Sequence, residues 1–134
     1  MKQMIFLMMT LTVLLTACSA KEQMADGGNT MKSYYHISQE EAARMMELDD
    51  GHIVVDVRRQ DEYDSGHIPG AVLIPNESIG TSRPEELPDP DQIILVYCRS
   101  GNRSRQAAQK LFDMGYTRVY EFGGISTWTG PIEK

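Results

Sequence analysis

Cysteine, positive charge and long apolar runs are all scarce in this 134-residue chain. Two cysteines, Cys18 and Cys98, cannot staple a disulfide-dependent scaffold and fall short of a cysteine-only zinc site. The three histidines, His36, His52 and His67, stand apart with no paired ligand spacing near Cys98, so no metal is expected. Thirteen Lys+Arg against nineteen Asp+Glu give a net charge of −6, which argues against a general binder of nucleic acid or anionic membrane. The apolar run over residues 4–17 is 14 residues long. As a helix it reaches about 21 Å, short of a hydrocarbon core of about 30 Å, so it is no permanent span. The remaining composition, 41% hydrophobic and 24% charged, is that of a globular protein, and the length fits one domain with a short appendage.

That apolar run is informative in another way. Lys2 precedes it, and a small residue ends it before the pattern breaks, as in a secretory signal. Its last residues, Leu15-Thr16-Ala17-Cys18, resemble the lipobox of bacterial lipoproteins. The resemblance implies a signal peptide over 1–17, cleavage before Cys18 and lipidation of the Cys18 thiol. The product is expected to be exported and lipid-anchored to a bacterial membrane, on a periplasmic or other extracytoplasmic face. Two acyl chains are roughly what stable anchoring requires, so the membrane is a partner through the lipid alone. Cleavage removes one cation, Lys2, and takes the net charge from −6 to −7. Residues 18–33 are then the lipidated N-terminus and a polar, aperiodic tether, which leaves 34–134 as the domain.

Within 34–134, strand and helix patterns alternate. Ser38-Gln39-Glu40-Glu41 is a capping box, predicting a helix to about Leu48 with Ala42, Met45 and Met46 toward the core and Ile37 stapled on Ala42. Residues 53–57 are β-branched and nearly apolar, as in a strand buried on both faces. A second short strand covers 71–74 and ends at Pro75, and the three prolines within 77–90 predict mostly loop with one helical turn. The strongest strand is 93–97. A helix follows over about 104–114, burying Ala107, Ala108, Leu111 and Phe112 and stopped by Gly115. Residues 119–122 form the last strand, before a turn at Gly123-Gly124 toward Trp128. The alternation predicts an α/β fold, a mostly parallel central sheet flanked by helices on both faces.

The chemistry concentrates in Cys98-Arg99-Ser100-Gly101-Asn102-Arg103-Ser104-Arg105, placed between the strongest strand and a helix. In an open α/β sheet, that puts Cys98 at a strand's carboxyl end, where ligands bind. Gly101 permits the positive φ a short turn needs, and backbone N–H groups of the loop and helix start can converge above the sulfur. Ser104 is expected to cap the helix. Between Asp91 and Asp113 there is no acid, while Arg99, Arg103, Arg105 and Lys110 supply four cations. Helix N-termini and nearby cations lower a thiol's pKa, so Cys98 is expected to be an activated nucleophile. A buried structural cysteine is the plainer alternative, but the strand end, the glycine and the acid-free window weigh against it. A dithiol redox site fails because Cys98 lacks a resolving partner once Cys18 is lipidated.

The loop resembles the six-residue active-site loop of rhodaneses, the thiosulfate sulfurtransferases. Asp56-Val57-Arg58, Glu62-Tyr63 and Gly66-His67-Ile68-Pro69-Gly70-Ala71 are similar to that family's first signature. Gly115-Tyr116, then Phe122-Gly123-Gly124-Ile125 and Trp128, are similar to its C-terminal one. The resemblance covers about residues 34–131 and implies a single-domain, rhodanese-like sulfurtransferase. Sulfane sulfur would pass from thiosulfate, or a related small anion, to a thiol or cyanide acceptor through a persulfide on Cys98. Arg99, Ser100, Gly101, Asn102, Arg103 and Ser104 would bind the substrate, with Arg99 and Arg103 neutralising it and no cofactor required. Asp56, Arg58 and His67 read as structural hydrogen-bonding residues, and Trp128 as core or lid. A monomer is expected. A persulfide carrier or partner-binding module without efficient turnover is the alternative. A phosphatase or arsenate reductase fits less well, because those loops space Cys and Arg by five residues and this one by four.

Overall fold

The computed structural model of the protein describes residues 33–134. The expected signal peptide, Cys18 and nearly all of the expected tether lie outside the described residues. The elements run β1 (Tyr35–His36), α1 (Gln39–Met46), β2 (Ile53–Asp56), α2 (Gln60–Ser65), β3 (Val72–Leu73), β4 (Ile93–Cys98), α3 (Asn102–Asp113) and β5 (Arg118–Gly124). Single 3-10 turns occupy Asn76–Ser78 and Ile125–Thr127.

All neighbouring strands of this sheet are parallel, in the order β1-β5-β4-β2-β3. From β2 the chain moves outward through α2 to β3, and from β4 it moves the other way through α3 to β5. Right-handed crossovers in opposite directions put their helices on opposite faces. Packing follows that rule. Val55, Val57, Ile94, Val96 and Val119 pack with Ala107, Ala108 and Leu111 of α3, whereas Val54, Leu95, Tyr97 and Phe122 pack with Ala42 of α1 and Tyr63 of α2. The expected parallel sheet with helices on both faces is therefore what forms.

Local signals account for most boundaries. Ser38 Oγ accepts the Glu41 N–H at 3.1 Å, so α1 begins where the capping pattern puts it, though it stops two residues earlier than expected. The α3 helix starts two residues before the expected position, at Asn102, because Gly101 with φ +99° turns the chain directly off β4. Two elements were not expected: β1 and α2. Each is short, and neither has an apolar period long enough to register in the sequence.

Position within the fold follows from parity. Alternate residues of β4 face opposite sides of the sheet, so Ile94, Val96 and Cys98 share the α3 face. By the same alternation Glu121 on β5 shares the face of Val119. The reversal in strand order lies between β2 and β4, so the end of β4 is one wall of the crevice where open α/β sheets bind ligands.

Candidate active site

Cys98 ends β4 with 1% of its surface exposed, and its sulfur faces the start of α3. The Gly101 N–H donates to Sγ at 3.0 Å, and Ser104 Oγ lies 3.5 Å from it. Burial pushes the thiol up, but hydrogen bonding at Ser104, Gly101 and Ser100, their backbone N–H groups included, outweighs it. The thiol therefore sits below the usual cysteine value. The sulfur belongs both to the core beneath the sheet's α3 face and to the amide ring above it.

The loop is held by its own backbone and by β5. The Arg99 carbonyl accepts the Ser126 N–H at 3.1 Å, while the Gly101 carbonyl accepts the Arg105 N–H at 3.2 Å and Arg105 Nε at 2.9 Å. Register slips between Val96 and Cys98, which brings Cys98 opposite Gly124. A methyl group on Gly124 would sit on the Arg99 carbonyl, so glycine is what lets the loop lie against β5.

Ser104 does not cap α3. It is the third helical residue, behind a Gly101 N-cap that has no side chain to offer. Its hydroxyl instead turns inward, fully buried, to Glu121 Oε1 at 2.6 Å, Gly101 O at 3.0 Å and Gly123 O at 3.3 Å.

The acid-free window is acid-free only along the chain. Arg103 makes a bidentate pair with Glu62 of α2, at 2.6 and 2.9 Å. That hydrogen-bonded pairing raises Arg103 and holds the Glu62 carboxyl at about 2. Arg103 thus arrives with its charge countered by Glu62 and braces the loop against α2. Lys110 is spent on the Asn76 carbonyl and side chain. The Arg99 side chain is exposed and makes no hydrogen bond or ion pair among the described residues. With Arg58, Glu62, Ser65, Ile125 and Ser126 it lines an open cleft beside the loop. Ser100 and Asn102 lie exposed on the loop rim.

Sequence reasoning missed both partner acids. Glu62 stood in a motif without a role, and its signal would have been a second-element acid facing the loop across the strand-order reversal. Glu121 had one available signal: it is the lone acid of β5, in phase with the buried Val119. The residues read as structural are so. Asp56 takes Arg58 in a buried pair at 2.7 Å and the Tyr97 hydroxyl at 2.6 Å, while Arg58 also donates to the Gly66 carbonyl. His67 stacks on Tyr63 at 3.7 Å and bonds its carbonyl, and Trp128 packs against Phe122.

Known proteins resemble this chain in sequence and in fold. Residues 38–130 match the family described as Rhodanese-like domain. Thiosulfate sulfurtransferase PspE of Escherichia coli is 37% identical over 80 residues, 60% of this chain and 77% of that protein. Putative sulfur carrier protein YrkF of Bacillus subtilis is 36% identical over 98 residues, 72% of this chain but only 52% of that one. Among solved structures, a rhodanese with anions from E. coli has a TM-score of 0.57 at 34% identity, covering 62% of this chain and 98% of its own. A family match over residues 38–130, with a shared fold, has one consequence: the chain belongs to the rhodanese-like domain family.

Proposed function

We propose that this protein is a thiosulfate sulfurtransferase acting by double displacement through a persulfide on Cys98. The observation that carries the reading is the Gly101 N–H aimed at a sulfur that its surroundings hold toward the thiolate. The Cys98 thiolate attacks the outer sulfur of thiosulfate. A new S–S bond forms at Sγ, the donor's S–S bond breaks, and sulfite leaves with the electron pair. The loop N–H groups then stabilise the negative terminal sulfur, as an anion hole does. Arg99, whose charge is not spent within the described residues, draws the dianion in, while Arg103 keeps the loop in shape through Glu62. A thiol or cyanide attacks the terminal sulfur and regenerates the thiolate. Homology to PspE supports this reading.

Intact mass after mild thiosulfate treatment tests it: one extra sulfur is expected on the wild type and none on Cys98→Ser. Comparable loading of that variant would refute the assignment. A second reading, a persulfide carrier that discharges only to a protein acceptor, draws on the 1% exposure of Cys98 and on the relative named as a putative sulfur carrier. Ping-pong turnover with thiosulfate and cyanide favours the enzyme, and loading without turnover favours the carrier. We further propose that the protein is exported and lipid-anchored through Cys18. Metabolic labelling with a fatty acid that Cys18→Ala abolishes is the expected result.

A further inference from the structure

Sulfur transfer as described leaves one buried carboxylate without a task. Glu121 is 0% exposed on the sheet face that carries Cys98, where a charge is costly unless it is held. It is held on both oxygens. Oε1 accepts the Ser104 hydroxyl at 2.6 Å and the Gly123 N–H at 2.7 Å, and Oε2 meets His36 Nδ1 at 2.6 Å. His36 is the ladder partner of Glu121 on β1, and its side chain is 69% exposed. Since Ser104 Oγ also lies 3.5 Å from Sγ, an unbroken file of polar groups leads from a surface imidazole to the nucleophile.

We propose that Glu121 and His36 are positioning residues for Cys98, their joint charge deciding how readily its sulfur becomes an anion. The proposal rests on Cys98 being the nucleophile.

Two effects act in the same sense. The two hydrogen-bond lengths through Ser104 put the carboxylate within about 6 Å of the sulfur, and like charges that close disfavour each other. The Ser104 hydroxyl also has a single proton to give, and its shortest acceptor is Glu121. While the carboxylate is charged and unopposed, that proton stays with it, and Oγ offers the sulfur only lone pairs, an arrangement that suits the thiol. A proton on His36 opposes the carboxylate's charge, loosens its hold on the hydroxyl and frees Ser104 to donate to the thiolate. The thiol's own proton leaves to water, and no other bond changes.

With His36 protonated, the device keeps the sulfur anionic further into mild acid than the carboxylate alone would. The other charged or titratable groups at the site are Arg105 from α3, Tyr34 before β1, which burial and the Glu121 charge push up, and Arg103 on the sulfur's side. None is altered in the test.

The test is the rate of iodoacetamide alkylation of Cys98 in the full chain from pH 5 to 9, read by mass spectrometry of the Cys98 peptide. Glu121→Gln keeps an oxygen for Ser104 and Gly123 but removes the charge. It is expected to react about tenfold faster than wild type at pH 6 and equally fast at pH 9. His36→Asn, at the surface, is expected to react about threefold slower below pH 6, to match wild type at pH 9, and to lose its effect in a Glu121→Gln background. A Glu121→Gln profile superimposed on wild type would overturn the proposal. So would a His36→Asn effect of equal size with and without Glu121. Alkylation uses no sulfur donor, so a chain that titrates this way yet loads no sulfur would defeat the sulfurtransferase reading alone.

Discussion

Replacing Glu62 by Gln asks how much stability is lodged in the clamp on the active-site loop. The Glu62 carboxyl sits at about 2 in the folded chain against an ordinary 4.5, chiefly because Arg103 hydrogen-bonds it. At about 1.36 kcal/mol for each pH unit between those values, the ceiling is about 3.4 kcal/mol. The two side chains keep 17% and 24% of their surface exposed, so solvent screening brings the expected cost of Glu62→Gln to about 1–2 kcal/mol at pH 7. The sign follows from a depressed carboxylate. Its contribution is complete above pH 4.5 and is lost as pH falls toward 2, where the folded carboxyl also protonates. Urea unfolding of both proteins, followed by Trp128 fluorescence from pH 7 to 2.5, should show the gap closing mostly below pH 4.5. A gap of constant size down to pH 2.5, or none at pH 7, would refute this reasoning.

Other outcomes follow from packing and charge. Gly124→Ala should cost about 3 kcal/mol by urea unfolding and slow Cys98 alkylation, since the added methyl displaces the Arg99 carbonyl. Leu95→Ala empties a fully buried site on the α1 side of the sheet. It should cost about 3 kcal/mol yet leave the alkylation pH profile in place, as Leu95 faces away from Cys98. Arg99→Ala should raise the KM for thiosulfate about fivefold to tenfold with little change in kcat, the mark of lost anion attraction rather than lost chemistry. An unchanged KM would remove Arg99 from the site.

The nucleophile and its loop were legible because everything that makes them is contiguous: a β-branched strand, a cysteine, a glycine-bearing turn and an amphipathic helix. Parity along β4 even dictates that Cys98 faces α3. What escaped is what arrives from elsewhere in the chain. The positive island of Arg99, Arg103, Arg105 and Lys110 is real along the sequence, yet folding brings Glu62 to Arg103 and Glu121 beneath Ser104. Ser104 was misread for a related reason. A serine at a helix start most often caps it, but here Gly101 already turns the chain and a buried carboxylate competes for the hydroxyl. The α2 helix escaped because six residues with Tyr63 as their main apolar anchor form it through tertiary contacts rather than periodicity.

The outermost strands of the sheet, β1 and β3, are two residues long each. A second chain approaching either margin would find only a residue or two of unpaired backbone to grip, too little for a ladder to propagate. An all-parallel sheet of Ile, Val and Leu is the sort of template that seeds intermolecular stacking. This one ends in short borders, and its apolar strands β2 and β4 each lie between two paired neighbours.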